Sequence, residues 1–358
     1  LQAEVAHAHW LLTHLVACGE SAALLLLRNT LRASLVQQQE RILLWLALLY
    51  DPAMIQRVRT ALGLGPGIQR RPTAEQRAYA LETLDFVLAK SISKPLLLLL
   101  DDIPPAERRK QLAVGAPPAS LDLAQRLTAI IASDERWVTP WLRTVTLYTV
   151  AQHPQMMQAN LALQQAVAQQ TDATDPLVQE TCAWVLSRLN AAPNSITPAV
   201  EQNPPGALRT VEKVLILQQV EIFAATPAAI LVEIATRLQE LFAPAGAIIF
   251  AQGAPGDSMY LIVSGAVEAV AGERVFAPMG QREVFGEMAL LDGEPRTATI
   301  RTSEPTHLLY LDQVTFYALM DEHIEIARGV IHVLLQRLRA RTADLHQLQA
   351  QQAARSRT

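Results

Sequence analysis

The chain has 358 residues, half of them hydrophobic and 18% charged, so it is long enough for two or three domains and too apolar for wholesale disorder. A formal net charge of -4 and a pI near 6.1 disfavour electrostatic capture of DNA or RNA. Cys18 and Cys182 are too few for a disulfide scaffold and read as small buried residues in a reducing, cytoplasmic setting.

From the N-terminus, apolar residues recur at three- and four-residue spacing, as in Leu43, Leu46 and Tyr50 or Leu81, Leu84 and Val87, which predicts helices through residues 1–190. The longest apolar runs, 22–27, 42–50 and 95–100, are shorter than the roughly 18 to 20 residues of a membrane-spanning helix, so no transmembrane segment is expected in this chain. It opens on Leu1 without a leader pattern, which reads as a fragment or processed chain with any membrane segment upstream. His7, His9 and His14 crowd this end without Cys or acidic partners at ligand spacing, so no metal site is expected. Prolines at 52, 72, 95, 104–105, 117–118, 140, 154 and 176 mark the expected helix boundaries. Gly63, Gly65 and Gly67 follow no strand and read as a loop.

Segments 77–84, 143–150 and 179–186 are weakly self-similar, each alternating small and large residues. The second and third lie within the period of helical-pair repeats. An ordinary helical bundle is the rival arrangement.

Residues 191–207 hold Pro193, Pro198, Pro204 and Pro205 among small polar residues and read as a linker. Helical spacing returns over 208–240. A window rich in glycine follows, with short strands expected at 247–250, 259–264, 266–270, 274–278, 297–302 and 306–311, the pattern of a small antiparallel barrel or jelly roll. Helical periodicity resumes after Asp312 through Ile331, Leu335 and Leu338, and residues 346–358 form a polar, Gln-rich tail in which the helix is expected to fray. Arg337, Arg339 and Arg341 read as a solvated helix face.

The chemistry concentrates in 285–299. Gly286 before a helix-forming run puts unpaired backbone N–H groups at a helix start, where partial positive charge favours an anion. Arg296 can offer a planar fork to phosphate oxygens, and Glu287 an acceptor for a sugar hydroxyl. A ribose phosphate supplies both. No nucleophile elbow, metalloprotease helix, kinase signature or catalytic carboxylate pair occurs, so no enzyme is expected.

These residues, with Phe223 and its preceding helix, the Gly253–Asp257 turn, the strand Ser258–Ile262 and the Ser264-Gly265 turn, resemble the cyclic nucleotide-binding domain family shared by catabolite activator-type regulators, protein kinase regulatory subunits and cyclic nucleotide-gated channels. The resemblance spans about 208–345 and implies a β-jelly roll with flanking helices. It implies ligand-binding roles for Gly286, Glu287, Met288, Ala289, Arg296, Thr297 and Ala298: backbone contacts from Gly286 and Ala289, the ribose 2′-hydroxyl on Glu287, the cyclic phosphate on Arg296, backbone donors at Thr297 and Ala298, and the Thr297 hydroxyl near the base. The family often has a second glycine where Gln281 or Arg282 stands here.

The N-terminal half resembles HEAT-like or armadillo-like helical arrays, as in the soluble part of some bacterial nucleotide-translocase-like transporters. The fold expected is therefore α+β and multidomain: a helical-repeat domain at 1–190, the linker 191–207, the cyclic nucleotide-binding domain at 208–345 and the tail 346–358. The expected function is regulatory: cAMP or cGMP is the ligand, no other cofactor is needed, and the residues around 331–338 close over the base as a lid and bias the helical domain. A protein partner or an upstream membrane domain would engage the helical part, the latter placing the chain on the cytoplasmic face of a membrane. The alternative is a scaffold whose barrel has lost its ligand and whose Arg296 pairs with Glu287. A transcription factor is disfavoured because only 20 residues follow Leu338.

Overall fold

The computed structural model describes residues 1–64, 72–112, 121–190, 207–224, 226–271 and 274–355. The chain divides into two compact units, Leu1–Ala199 and Val200–Thr358. The expected linker lies almost wholly outside the described residues, as do Gly65, Gly67, Pro117 and Pro118.

The first unit is helical: α1 (Gln2–Ala17), α2 (Leu25–Leu49), α3 (Pro52–Ala61), α4 (Ala74–Val87), α5 (Lys90–Leu100), α6 (Pro105–Leu112), α7 (Leu123–Ile131), α8 (Pro140–Ala151), α9 (Pro154–Ala159), α10 (Leu161–Ala168) and α11 (Pro176–Asn190). Local chemistry explains the starts. Asp51 caps α3 ahead of Pro52, Thr139 caps α8 ahead of Pro140, and capping boxes built by Thr73 with Gln76 and Asp122 with Gln125 open α4 and α7.

Pro95 corrects the expectation that each proline marks a boundary. It lies inside α5, where Leu96, Leu99 and Leu100 are buried, and that packing holds the helix through the lost backbone bond. Helix α8 is buried on nearly every side, and its Thr146 and Thr149 hydroxyls donate to the carbonyls of Leu142 and Val145, each at 2.7 Å. The self-similar segments fall on α4, α8 and α11, but α4 buries only Ala80 and Leu84.

The second unit opens with α12 (Thr210–Leu217), a 3-10 turn (Glu221–Phe223) and α13 (Ala228–Arg237). Eight strands follow: β1 (Gln239–Ala243), β2 (Ile248–Phe250), β3 (Ser258–Ser264), β4 (Val267–Ala271), β5 (Arg274–Met279), β6 (Val284–Phe285), β7 (Thr299–Thr302) and β8 (Thr306–Asp312). All pairings are antiparallel, in two four-stranded sheets ordered β1-β8-β3-β6 and β2-β7-β4-β5. Ile262, Val267, Phe285, Ile300 and Leu308 form the shared core. Helix α14 (Glu287–Asp292) connects β6 towards β7, and α15 (Gln313–Glu322) and α16 (Ile324–Arg355) close the chain.

The structure departs from three expectations. Helical spacing over 208–240 hides the start of β1, because Gln239 and Glu240 pair with Tyr310 and Leu309 of β8 and long-range pairing overrides local period. The two-residue β6 is too short to carry alternation. Helix α16 continues to Arg355 instead of fraying at 346, since Ala, Gln, Leu and Arg are all good helix formers.

Candidate functional site

Between β6 and β7 the chain builds one side of a cavity of about 520 Å³. Phe285, buried at the end of β6, anchors the approach, and Gly286 turns the chain with φ +81° into the first turn of α14. A side chain at Gly286 would be forbidden twice: its backbone is left-handed, and a Cβ would fall 2.8 Å from Arg296 Nη1 and 3.0 Å from the Ser258 carbonyl oxygen. On the far side of α14 the segment before β7 is tied down by mutual backbone bonds, Gly253 N–H to the Arg296 carbonyl and Arg296 N–H to that of Ala254. That pairing starts β7 at Thr299, two residues later than expected, and leaves Thr297 and Ala298 on the cavity wall.

Arg296 is 3% exposed. Its Nη1 donates to the Gly286 carbonyl at 2.9 Å, and its Nη2 to the Ser258 carbonyl at 2.7 Å and hydroxyl at 3.1 Å. The Asp257 carboxylate stands 3.9 Å away, and Cζ lies 4.0 Å from the centre of the Phe250 ring. Nε is buried with no hydrogen-bond partner. Burial pulls the guanidinium below its ordinary pKa while Tyr260 and Asp257 oppose the shift, and the group stays a cation. Glu287 is not among its partners, so the expected alternative of an Arg296–Glu287 pair is not the arrangement found.

Of the expected site residues, Gly286, Glu287, Met288, Arg296, Thr297 and Ala298 line this one cavity. Glu287 is buried at the first turn of α14, whereas Met288 and Thr297 are exposed. Ala289 is the third residue of α14, and its side chain lies outside the described residues. The apolar wall comes from Phe250, Ala269, Met279, Val284 and Ile300, none of which sequence reasoning placed here. Nor did it assign Ser258 and Asp257 to Arg296, although both stand in the turn and strand that carried the family resemblance. The departure from the family pattern at Arg282 has a visible cost: it is the one non-glycine with positive φ among the described residues, at 74°.

Histidines 7 and 14 serve the first unit's interior. His7 Nε2 is 2.8 Å from the Trp137 carbonyl oxygen, and the His14 ring packs 4.3 Å from Trp10. The only metal-type grouping among the described residues is Glu233, Glu322 and His323, where Arg237 already sits 2.6 Å from Glu233 and 3.6 Å from Glu322. No helix among the described residues is long and apolar enough to cross a membrane.

Residues 240–323 match the family model of the cyclic nucleotide-binding domain. A cyclic nucleotide-gated potassium channel of Mesorhizobium japonicum is 38% identical over 118 residues, 33% of this chain and 33% of that one. A CRP-like cAMP-activated global transcriptional regulator of Mycobacterium tuberculosis is 30% identical over 138 residues, 37% of this chain and 62% of that one. The crystal structure of the Thermus thermophilus catabolite activator protein superposes with a TM-score of 0.34 at 32% identity, covering 36% of this chain and 62% of that one. The chain thus spans a third of the channel's length and under two thirds of the regulator's.

Proposed function

We propose that the second unit is a regulatory module that binds cAMP or cGMP and passes the binding event to the helical unit. Arg296 carries the reading. It is a buried cation held rigid by main-chain carbonyls, with its Nε unpartnered, beside a cavity whose remaining wall is apolar on the strand side. Such a donor is preorganised for an anion, and the apolar wall suits a flat base. In this reading the cyclic phosphate meets Arg296 and the backbone around Gly286, Ala289, Thr297 and Ala298, and the ribose 2′-hydroxyl donates to Glu287. The Thr297 hydroxyl faces the base. The family match over 240–323 and the names of the channel and regulator relatives support the same ligand class.

The helical unit then acts as a docking scaffold of stacked helical pairs, and the module binds without catalysing. Ile331, Leu334, Leu335 and Leu338 form an exposed apolar stripe on α16, the surface available to cover a bound base. Calorimetric titration of the whole chain with cAMP and with cGMP tests the reading. Saturable one-site binding of at least one nucleotide is expected; heats indistinguishable from dilution for both would leave the ligand-free scaffold standing instead.

A further inference from the structure

The first unit contains a second built cavity, of about 560 Å³, where α2, the end of α3, α4 and the α5–α6 connection meet. Three arginines line it: Arg32 from α2, Arg77 from α4 and Arg108 from α6. Arg108 is 8% exposed, and its Nη2 donates to the carbonyls of Asp101, at 2.5 Å, and Ile103, at 3.1 Å. Its Nε is buried without a partner. Arg77 reaches the Leu62 carbonyl at 3.3 Å through Nη1, and its Nη2 forms a long ion pair, at 3.9 Å, with the exposed Asp102 carboxylate; its Nε is also buried and unpartnered. Arg32 is exposed and has no hydrogen bond or ion pair among the described residues.

Asp101 and Asp102 are the acidic residues of the same lining, which therefore carries three cations against two carboxylates and is net positive. Burial pulls the Arg108 guanidinium below its ordinary value, with Arg77 adding to that and the two aspartates opposing it. A buried arginine fixed by carbonyls, with donors left over and two further arginines beside it, has the makings of an oxyanion site. Leu35, Leu62 and Leu100 supply an apolar floor.

We propose that this cavity binds a small organic anion, an alkyl-type phosphate whose headgroup is held by Arg32, Arg77 and Arg108 and whose carbon chain lies on the leucine floor. The site is separate from the barrel, and the proposal stands or falls independently of the cyclic nucleotide reading.

The test uses the whole chain carrying Arg296→Ala, which removes the barrel cavity's charged donor, titrated calorimetrically at low salt with inorganic phosphate and with hexyl phosphate. Saturable binding of hexyl phosphate is expected, at least about tenfold tighter than inorganic phosphate because several methylenes leave water. Arg32→Glu, at an exposed position whose loss does not threaten folding, should weaken hexyl phosphate at least about tenfold, and Arg77→Gln should weaken it as well. No saturation up to about 10 mM hexyl phosphate, or an affinity unchanged by Arg32→Glu, would overturn the site. Equal affinity for the two probes would overturn the apolar floor's role in it.

Discussion

Arg296 makes three hydrogen bonds to the protein and still has an orphaned Nε, so its loss removes the brace on Gly286 and Ser258 together with the proposed ligand donor. Arg296→Ala should weaken cyclic nucleotide binding by roughly 2 to 5 kcal/mol, at least about thirtyfold, as measured by calorimetry. Unchanged affinity would remove Arg296 from the ligand. Glu287, buried at the start of α14, is proposed to accept from one sugar hydroxyl, and Glu287→Ala should cost roughly 1.5 to 3 kcal/mol. The discriminating ligand is a 2′-deoxy cyclic nucleotide, which should bind the parent weakly and the variant no worse than the natural ligand does. A full, additive second loss would assign Glu287 to some other group.

At the scale of elements, the placement of α16 is set by an unusually close backbone approach. Gly329 lies against the Ile222 carbonyl of the 3-10 turn, and a Cβ there would fall far inside contact distance. The same end of the helix is tied electrostatically, since His323 Nε2 is 2.8 Å from Glu233 of α13 and Arg237 bridges Glu233 and Glu322. Replacing glycine by alanine in a helix ordinarily gains up to about 1 kcal/mol. Here Gly329→Ala should instead destabilise the second unit by about 1 to 3 kcal/mol through overpacking, read in urea unfolding. A gain in stability would mean that α16 does not pack on the 3-10 turn in solution.

For the whole molecule, the two units should answer different perturbations. A cyclic nucleotide at a hundred times its Kd should raise the stability of the second unit by about 2.7 kcal/mol. Acid should act on the first. Burial, helped by Arg126, pushes His14 down to about 4 from an ordinary value of 6.5, so the unfolded chain binds its proton first. The stabilising contribution is complete above about pH 6.5 and is lost as pH falls towards 4, up to about 3 kcal/mol. His9 and His7 are displaced in the same direction, mainly by burial. Urea unfolding at pH 7 and pH 4.5 should show His14→Phe losing less stability than the parent chain, and an equal loss in both would clear His14 of the effect.

Periodicity, caps and prolines were enough to read the helices of the first unit, because those signals act within one or two turns of the chain. The glycine turns and β-rich runs likewise announced an antiparallel barrel. The sequence also singled out Gly286, Glu287 and Arg296, since an anion site at a helix start needs those residue types within a few positions. It said nothing about β1 or β6, whose pairing depends on β8 and β3, far away in the chain. Nor did it assign Phe250, Met279 and Ile300 to one cavity wall, or Ser258 to Arg296, because alternation marks which residues share a face and not which face lines the cavity. Pro95 makes the same point from the other side: local chemistry argued for a break, and the burial of Leu96 and Leu99, a tertiary quantity, kept the helix whole.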